Sequence, residues 1–497
     1  MGTWWCGPVL AAAVLLNLSV LAQAQVGIFE GHKDIGTLLH PGNTIYDAAQ
    51  GTYTVSGSGD NMWFGTDNFQ LAWKKLSGDV AITADINFVG TKGNAHRKAA
   101  LLLRQSLEPN SVYVDVARHG NGLTSLQYRD ATGADTHEVE TAVDGPERVR
   151  IERRGDYAYV FVGDRTGKLR FSGSAMRVVL TGEFYVGIGV CAHDKDATET
   201  AVFSHVTIES LGAASTKPVL WSTLETVKVA STDRLVAYSA PEHFEAPNWS
   251  RDGHSLLINR DGAMERFTLG GTAAPELIKT APQMHVNNDH GLSPDGAMLA
   301  ISDQGDGRSR IYVLSASGGT PRLVTPEGPS YWHGWSPDGK TLAFTGQRAG
   351  EFDIYTVPAG GGTETRLTSA KGLDDGPEYT PDGTKIYFNS ERTGTMQIWR
   401  MNADGSGQEQ VLEETSNDWF PHISPDGKWM VYLAYKPGVS GHPGGQDVEI
   451  RLMSLADKKI KVLAQLYGGQ GTMNVPSWSP DSTRIAFVSY ALLAGPQ

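Results

Sequence analysis

The sequence predicts an all-β protein in which an antiparallel β-sandwich precedes a six-bladed β-propeller. Six copies of one short box, close to Ser/Thr-Pro-Asp-Gly, begin at Ser250, Ser293, Ser336, Thr380, Ser424 and Ser479. Successive boxes lie 43, 43, 44, 44 and 55 residues apart. A period of about 40–45 residues, with several short strands in each unit, is typical of a β-propeller. Gly is abundant, at 58 of 497 residues, as a turn-rich all-β chain requires.

The order of strands within the repeats predicts how the propeller closes. Each box is a tight turn because Pro presets φ and Asp-Gly completes the bend, and an apolar strand such as Thr341–Thr345 follows it. After the last box the chain has room for one strand, Arg484–Tyr490. Near the start of the repeat region, Leu224–Ala230 and Arg234–Tyr238 look like the third and fourth strands of a blade. Pairing of these N-terminal strands with the last one would complete a sixth blade.

Residues 26–212 lack the repeat and predict a separate domain. Period-2 alternation indicates antiparallel strands, at Val80–Phe88, Lys98–Ser106, Ser111–Arg118, Arg148–Arg153, Tyr157–Val162, Tyr185–Val190 and Ala201–Ile208. The stretches Phe184–Val190 and Ala201–Val206 resemble the end of concanavalin-like jelly-roll domains, and this resemblance implies a sandwich of the kind that often binds glycans. Residues 213–218 form a small polar linker, and residues 219–497 form the propeller.

The N-terminus and the composition predict export. An apolar run from Val9 to Leu21 is followed by Ala22-Gln23-Ala24, so residues 1–24 are expected to be a secretory signal peptide. Its removal would leave Cys191 as the sole cysteine, and an exported chain of this size without disulfides suits a bacterial periplasm or exterior. No later stretch is apolar enough to span a bilayer. The net charge of −13 argues against a nucleic-acid partner.

The repeats resemble those of the TolB-type propeller family. The segment Gly334-Trp335-Ser336-Pro337-Asp338-Gly339-Lys340-Thr341-Leu342-Ala343-Phe344 has the form of this family's PD40, or WD40-like, repeat, and the resemblance extends over about residues 219–490. It implies the propeller fold. It also implies one function: a non-enzymatic periplasmic scaffold or translocation-associated protein that binds a peptide or an envelope protein. TolB itself has a small α/β domain before its propeller, and here a sandwich takes that place.

Unusual polar residues concentrate in loops that should meet at the mouth opposite the box turns. Three residues before the boxed Ser or Thr, two adjacent repeats have His290 and His333 where the other four have Pro, and His422 lies one position further on. Neighbouring loops add further candidates: Asn288, Trp332, Arg348, Asp374, Asp375, Glu391, Arg392, Trp419, His442 and Gln470.

These residue types allow several kinds of chemistry. Imidazoles and carboxylates act as acid and base, so His290, His333, His422, Asp374 and Asp375 are the catalytic candidates. The same histidines with Gln470 are candidate ligands of a divalent metal such as Mn, Ca or Zn. Indole rings offer faces for sugars, and arginines clamp carboxylates, so the substrate-binding candidates are Trp332, Trp419, Arg348, Arg392, Glu391, Asn288 and His442. Polar groups that only hydrogen-bond water and backbone in a wet channel are the alternative.

Two functions follow from these candidates. The first is an exported carbohydrate-binding or carbohydrate-active protein with a glycan or sugar-acid site on one propeller mouth. A cluster of His and Gln at a propeller axis resembles the manganese site of oligogalacturonate lyases, which implies a metal-assisted polysaccharide lyase or glycoside hydrolase. The second is the non-enzymatic TolB-like protein with a peptide or protein partner. The sequence leaves open whether the protein is an enzyme.

Overall fold

The structure, a computed structural model, describes residues 1–2, 25–164, 166–212, 217–271 and 273–494. The predicted signal peptide therefore lies outside the described residues, apart from its first two. All the regular secondary structure in these ranges is β-strand, which confirms the predicted all-β class. In the same ranges, no helix exists that could cross a membrane.

The strands of the first 210 residues form two large antiparallel sheets and one short hairpin. Their bounds are β1 Gly31–Ile35, β2 Asn43–Asp47, β3 Thr52–Gly59, β4 Met62–Trp63, β5 Thr66–Asp67, β6 Phe69–Ser77, β7 Val80–Phe88, β8 Lys98–Arg104, β9 Tyr113–His119, β10 Thr124–Arg129, β11 His137–Glu140, β12 Arg148–Arg154, β13 Tyr157–Gly163, β14 Leu169–Arg177, β15 Glu183–Cys191 and β16 Asp194–Ser210. One sheet has the order β14-β13-β12-β7-β16-β3-β2, and the other contains β1-β6-β15-β8-β9-β10-β11.

These two sheets pack on one apolar core. Ile82 and Ile151 from the first sheet and Leu101, Val116 and Val186 from the second belong to one buried cluster. Because successive side chains of a strand point to opposite faces, the alternation seen in the sequence supplies an apolar face from each sheet. Strand β7 has the bounds that the sequence predicts.

Five four-stranded sheets, called blades 1 to 5 here, form the propeller. Their strands are β19 Phe244–Trp249, β20 Ser255–Arg260, β21 Ala263–Thr268 and β22 Glu276–Leu277 in blade 1; β23 Val286–Leu292, β24 Met298–Asp303, β25 Arg310–Ser315 and β26 Arg322–Leu323 in blade 2; β27 Ser330–Trp335, β28 Thr341–Arg348, β29 Glu351–Pro358 and β30 Thr365–Arg366 in blade 3; β31 Asp374–Tyr379, β32 Lys385–Ser390, β33 Gln397–Asn402 and β34 Glu409–Gln410 in blade 4; and β35 Asn417–Ile423, β36 Trp429–Tyr435, β37 Gln446–Ser454 and β38 Ile460–Gly468 in blade 5. Each blade is an antiparallel meander in sequence order.

The repeated box forms the turn between the first and second strands of each blade. In blade 3, Ser336 Oγ donates a hydrogen bond to Asp338 Oδ1 at 2.6 Å and accepts one from the amide of Thr341 at 2.9 Å. Asp338 also accepts the amide of Lys340 at 3.1 Å. The Ser/Thr–Asp bond recurs in all six boxes at 2.5–2.6 Å. The box aspartates are therefore turn formers.

Strands from both ends of the repeat region pair with each other. Strand β39 (Arg484–Ala494) pairs antiparallel with β17 (Pro218–Lys228), and β17 pairs with β18 (Arg234–Ala240). The segment before β39 touches it through the bridge from Trp478 to Ile485. This is the pairing that the sequence predicts for closure of the ring.

The first part of the chain and the propeller share one sheet. Strand β11 pairs in parallel with β18 through Val139 and Arg234, so the second of the two large sheets continues into β18, β17 and β39. Tyr157 Oη adds a 2.6 Å hydrogen bond to Asp447 in blade 5. Residues 213–216 of the predicted linker lie outside the described residues, and the parts of the chain before and after them are joined by these hydrogen bonds.

Candidate functional site

A cavity of about 800 Å³ opens on the propeller axis, at the mouth opposite the box turns. A volume of this size is in the usual range for ligand sites. Residues from all five blades and from the segment before β39 line it: His243, Glu245, Asn259, Asp261, Gly262, His285, Val286, Asn287, Asn288, Asp289, Gln304, Tyr331, His333, Thr345, Phe352, Leu373, Asp375, Phe420, His442, Gln470 and Asn474.

A β-bulge in the first strand of every blade directs side chains into this cavity. The pairing register between the first and second strands shifts three to six residues before the boxed Ser or Thr in all five blades. Left-handed backbone accompanies the shift at Ala246 (φ 55°), Gly376 (φ 65°) and Phe420 (φ 56°). A bulge kinks the strand and re-aims the neighbouring side chains, which is how residues such as Glu245 and Asp375 reach the axis.

The two histidines at the same repeat position are placed differently. His333 is the unpaired residue of the blade 3 bulge and lines the cavity. In blade 2 the unpaired stretch is longer and ends one residue earlier in the repeat: residues 287–289 are unpaired, and His290 pairs with Ile301. His290 is therefore fully buried away from the cavity, and Asp289 lines the cavity instead. Burial lowers the pKa of His290 to about 4. The structure places His290 outside the cavity because a change of register moves a side chain to the other face of a strand, and its role as ligand or base stays a prediction.

His333 and Asp375 form an ion pair at the floor of the cavity. His333 Nε2 lies 3.2 Å from Asp375 Oδ1, and both residues are buried. Burial opposes charge on His333, but its hydrogen bond with Asp375 and the charges of Asp375 and Asp289 outweigh burial and raise its pKa. Burial likewise opposes charge on Asp375, yet the same bond and the charges of His333 and His442 lower its pKa to about 2. Both shifts favour the charged form of the group.

Side chains from strand β28 and from two loops surround this pair. Thr345 Oγ1 donates a 2.6 Å hydrogen bond to Asp375, and His442 Nε2 lies 3.9 Å from Asp375 Oδ2. His442 Nδ1 also hydrogen-bonds Gln470 Oε1, which accepts a 3.2 Å bond from Asn474 Nδ2. Of the sequence-predicted residues, His333, Asp375, His442, Gln470 and Asn288 thus meet in one cavity.

A second group of carboxylates lies on the wall formed by blades 1 and 2. Burial raises the pKa of Asp289 to about 7. Burial, followed by the charge of Asp289, raises the pKa of Glu245 to about 7 as well. Asp261 lies exposed at the rim. Acids whose pKa is brought near neutrality in a concave site are common at functional sites.

Aromatic rings line the remaining wall. Tyr331 and Phe352 of blade 3 are half-buried, with ring centroids 6.4 Å apart. Phe420 is buried and stacks on His333 at 6.1 Å. The cavity therefore places flat apolar surface beside its acids.

The predicted arginine clamps lie outside the cavity. Arg348 pairs with Glu364 at 2.9 Å, and Arg392 pairs with the buried Asp374 at 2.9 Å. Each guanidinium also packs against the aromatic rings of its own blade. Asp374, which was predicted as catalytic, is therefore the partner of Arg392. The sequence had placed both Asp374 and Arg392 at the mouth.

Four further predicted residues are also placed elsewhere. The indole rings of Trp332 and Trp419 are buried, at 1% and 0% exposure, so neither presents the free face that was predicted for sugar stacking. His422 Nδ1 hydrogen-bonds Glu378 Oε2 at 2.6 Å, and its Nε2 donates to the carbonyl of Met473. His422 therefore braces neighbouring blades. Glu391 is exposed and outside the lining.

The residues do not fit the predicted metal site. Of the four predicted ligands, only His333 and Gln470 line the cavity. His290 and His422 are buried elsewhere. Within the described ranges, no three His, Cys, Asp or Glu side chains are arranged to hold a metal ion.

Sequence reasoning missed Glu245 and Asp289 as site residues. It aligned the repeats on the position three residues before the boxed Ser or Thr, whereas Glu245 and Asp375 share the position five before it. Comparison of that position across the six repeats could have found Glu245. Asp289 could not be found in this way, because only the irregular bulge of blade 2 brings it to the axis.

Comparison with known proteins places the propeller in a family. The model of the TolB β-propeller domain matches residues 332–491. An uncharacterised protein of Agrobacterium fabrum, Atu1656, is 49% identical over 270 residues, which cover 54% of this chain and 92% of that protein. A solved structure from Agrobacterium tumefaciens, provisionally assigned as TolB, is 49% identical with a TM-score of 0.54, and the match covers 55% of this chain and 99% of that chain.

A solved oligogalacturonate lyase in complex with manganese is more distant. It is 15% identical, with a TM-score of 0.37 over 54% of this chain and 78% of that chain, so it has no bearing on the function. The matches to the TolB domain and to the Agrobacterium proteins are decisive: this chain belongs to the TolB-type β-propeller family.

Proposed function

We propose that this protein is a non-enzymatic binding protein of the TolB type, and that its axial cavity accepts a peptide segment of a partner protein. One observation carries the proposal. Of the five predicted catalytic residues, only His333 and Asp375 meet in the cavity, and they neutralise each other as an ion pair. The cavity also presents many hydrogen-bonding groups within about 800 Å³, as a binding site for a peptide segment requires.

The proposal includes the organisation of the whole chain. The segment before β39, together with β39, β17 and β18, would be a sixth blade, which the pairing of β39 with β17 supports. Residues 26–212 would be a jelly-roll sandwich and residues 219–497 the propeller. Residues 1–24 would direct export to the periplasm or the exterior, where an envelope protein is the expected partner.

Selection of peptides from a random display library tests the binding function. The cavity-filling variant Leu373→Trp serves as the comparison, because Leu373 is a half-buried lining residue. The matched control is Leu323→Trp, on the exposed outer strand of blade 2. We expect enrichment on the wild type and the control but not on Leu373→Trp. Equal enrichment on all three would contradict a peptide site in the cavity.

A carbohydrate site is the second candidate, and one observation favours it. Glu245 and Asp289 have pKa values near 7 and lie in the cavity that Tyr331 and Phe352 line, and glycosidases use carboxyl pairs as acid and base. Turnover of a polysaccharide panel by the wild type, lost in Asp289→Asn, would establish this function. Absence of any product would leave the binding function.

A further inference from the structure

We infer that the axial cavity selects a positively charged group of its ligand, an ammonium or guanidinium, and holds it between Glu245 and Asp289. This inference rests on the proposed function, because it assigns the chemistry of the peptide that enters the cavity. It excludes the sugar acids that the sequence suggested.

The charge of the lining is the first observation. Four carboxylates line the cavity, at Glu245, Asp261, Asp289 and Asp375, and none of the described lining residues is Lys or Arg. Asp375 is neutralised by His333. In the described part of the chain, no ion pair involves Asp261 or Asp289, and the only partner of Glu245 is His243 at 4.0 Å.

Four histidines line the cavity, and among the described residues no ion pair joins His285, His333 or His442 to Glu245 or Asp289. Burial lowers the pKa of His243, which favours its neutral form near pH 7. The positive charge of His333 is matched by Asp375. The wall formed by blades 1 and 2 therefore keeps uncompensated negative charge when its acids ionise.

The arginines nearest to the mouth are already engaged. Arg260 pairs with Glu265 at 2.9 Å and also with Glu242. Arg348 and Arg392, near the ends of the second strands of blades 3 and 4, pair with carboxylates of their own blades. Releasing one of them towards the cavity would leave a half-buried carboxylate without its partner, which is strongly unfavourable.

Burial makes these carboxylates strong binding groups for a cation. Asp289 is 5% exposed, and its burial outweighs the charge of His333 and the hydrogen bond with Asn287, so an opposite charge that reaches this carboxylate is favourable. Tyr331 and Phe352 line the same cavity. Aromatic faces attract cations, and they also cover the apolar stem of a Lys or Arg side chain. A ligand anion would meet only like charge there.

Three matched tripeptides test the inference: acetyl-Gly-X-Gly-amide with X as Lys, Gln or Glu. Titration calorimetry with the full chain should give a Kd for the Lys peptide at least tenfold below that for the Gln peptide, a difference of about 1.4 kcal/mol in binding free energy. The Glu peptide should bind more weakly than the Gln peptide. Glu245→Gln with Asp289→Asn should remove the preference for Lys. Asp338→Asn, in an exposed box turn at the other mouth, should retain it. If the double variant fails to fold, the single variant Glu245→Gln, at a half-buried position, decides the test by whether it reduces the preference for Lys.

Each outcome bears on one claim. Gln or Glu peptides that bind as tightly as the Lys peptide would overturn charge selection but leave peptide binding intact. Failure of all three, together with failure of the display selection, would overturn the proposed function itself. Free spermidine that binds tenfold more tightly than the Lys peptide would support the cation site while replacing the peptide partner with a polyamine.

Discussion

Replacement of Asp375 by Asn measures how strongly the cavity floor depends on its ion pair. The pKa of Asp375 is about 2 against an ordinary 3.8, which corresponds to roughly 2 kcal/mol of stability at 1.36 kcal/mol per pKa unit. The variant also leaves His333 buried without its carboxylate. Breaking a buried pair costs about 3–5 kcal/mol in typical cases. Since Asn retains one hydrogen bond, we expect a loss of about 2–3 kcal/mol in the free energy of unfolding.

The pH dependence of this loss identifies its cause. The pKa of Asp375 is lowered, so its contribution is present above pH 3.8 and disappears as the pH falls towards 2. The pKa of His333 is raised, so its contribution is present below pH 6.5 and disappears as the pH rises through the folded-state value. The loss in Asp375→Asn should therefore be largest between pH 4 and 6.5 and smaller at pH 9.

Urea unfolding of the wild type and the variant at pH 5.5 and pH 9 gives the two losses directly. Asp338→Asn is the control, because the hydrogen bond from Ser336 and that from the Lys340 amide lower the pKa of Asp338 and keep it ionised at both pH values. An equal loss in Asp375→Asn at the two pH values, or a loss below about 0.5 kcal/mol, would refute the ion-pair reasoning.

Three other predictions concern the arginine pairs, the closing strand and the acids of the cavity. Asp374→Asn leaves the half-buried Arg392 without its carboxylate and should lower the free energy of unfolding by about 3 kcal/mol; a change within about 0.5 kcal/mol in urea unfolding would contradict a structural role. Deletion of β39, which pairs with β17 along eleven residues, should abolish the cooperative thermal transition of the propeller, and an unchanged Tm would argue against closure by this strand. Affinity for the Lys tripeptide should fall about tenfold between pH 8 and pH 6, because Glu245 and Asp289 take up protons as the pH falls through about 7; calorimetry that shows constant affinity would exclude these acids as the binding groups.

The periodic part of the sequence predicted the fold well. The box marks a turn in every repeat because Ser, Pro, Asp and Gly each contribute locally to the bend. The spacing of the boxes therefore predicts where each blade begins, without any knowledge of how the blades pack. The pairing of β39 with β17 also followed from counting strands at the two ends. Alternation predicted β7 with its observed bounds, Val80–Phe88.

The site was predicted only in part, because its side chains depend on register and on partners distant in sequence. His290 and His333 occupy one repeat position, yet the unpaired stretch of blade 2 ends one residue earlier in the repeat and leaves His290 buried. Arg392 looked like a free clamp until the structure paired it with Asp374. The sequence placed Trp419 in a loop at the mouth, but in the structure its side chain packs into the core of blade 5.

Co-crystallisation with a peptide taken from the display selection tests the central claim most directly. We predict that the peptide lies in the axial cavity and places an ammonium or guanidinium within hydrogen-bond distance of Glu245 and Asp289. A peptide bound on another surface, or one that places a carboxylate or a neutral side chain between these two acids, would contradict the account.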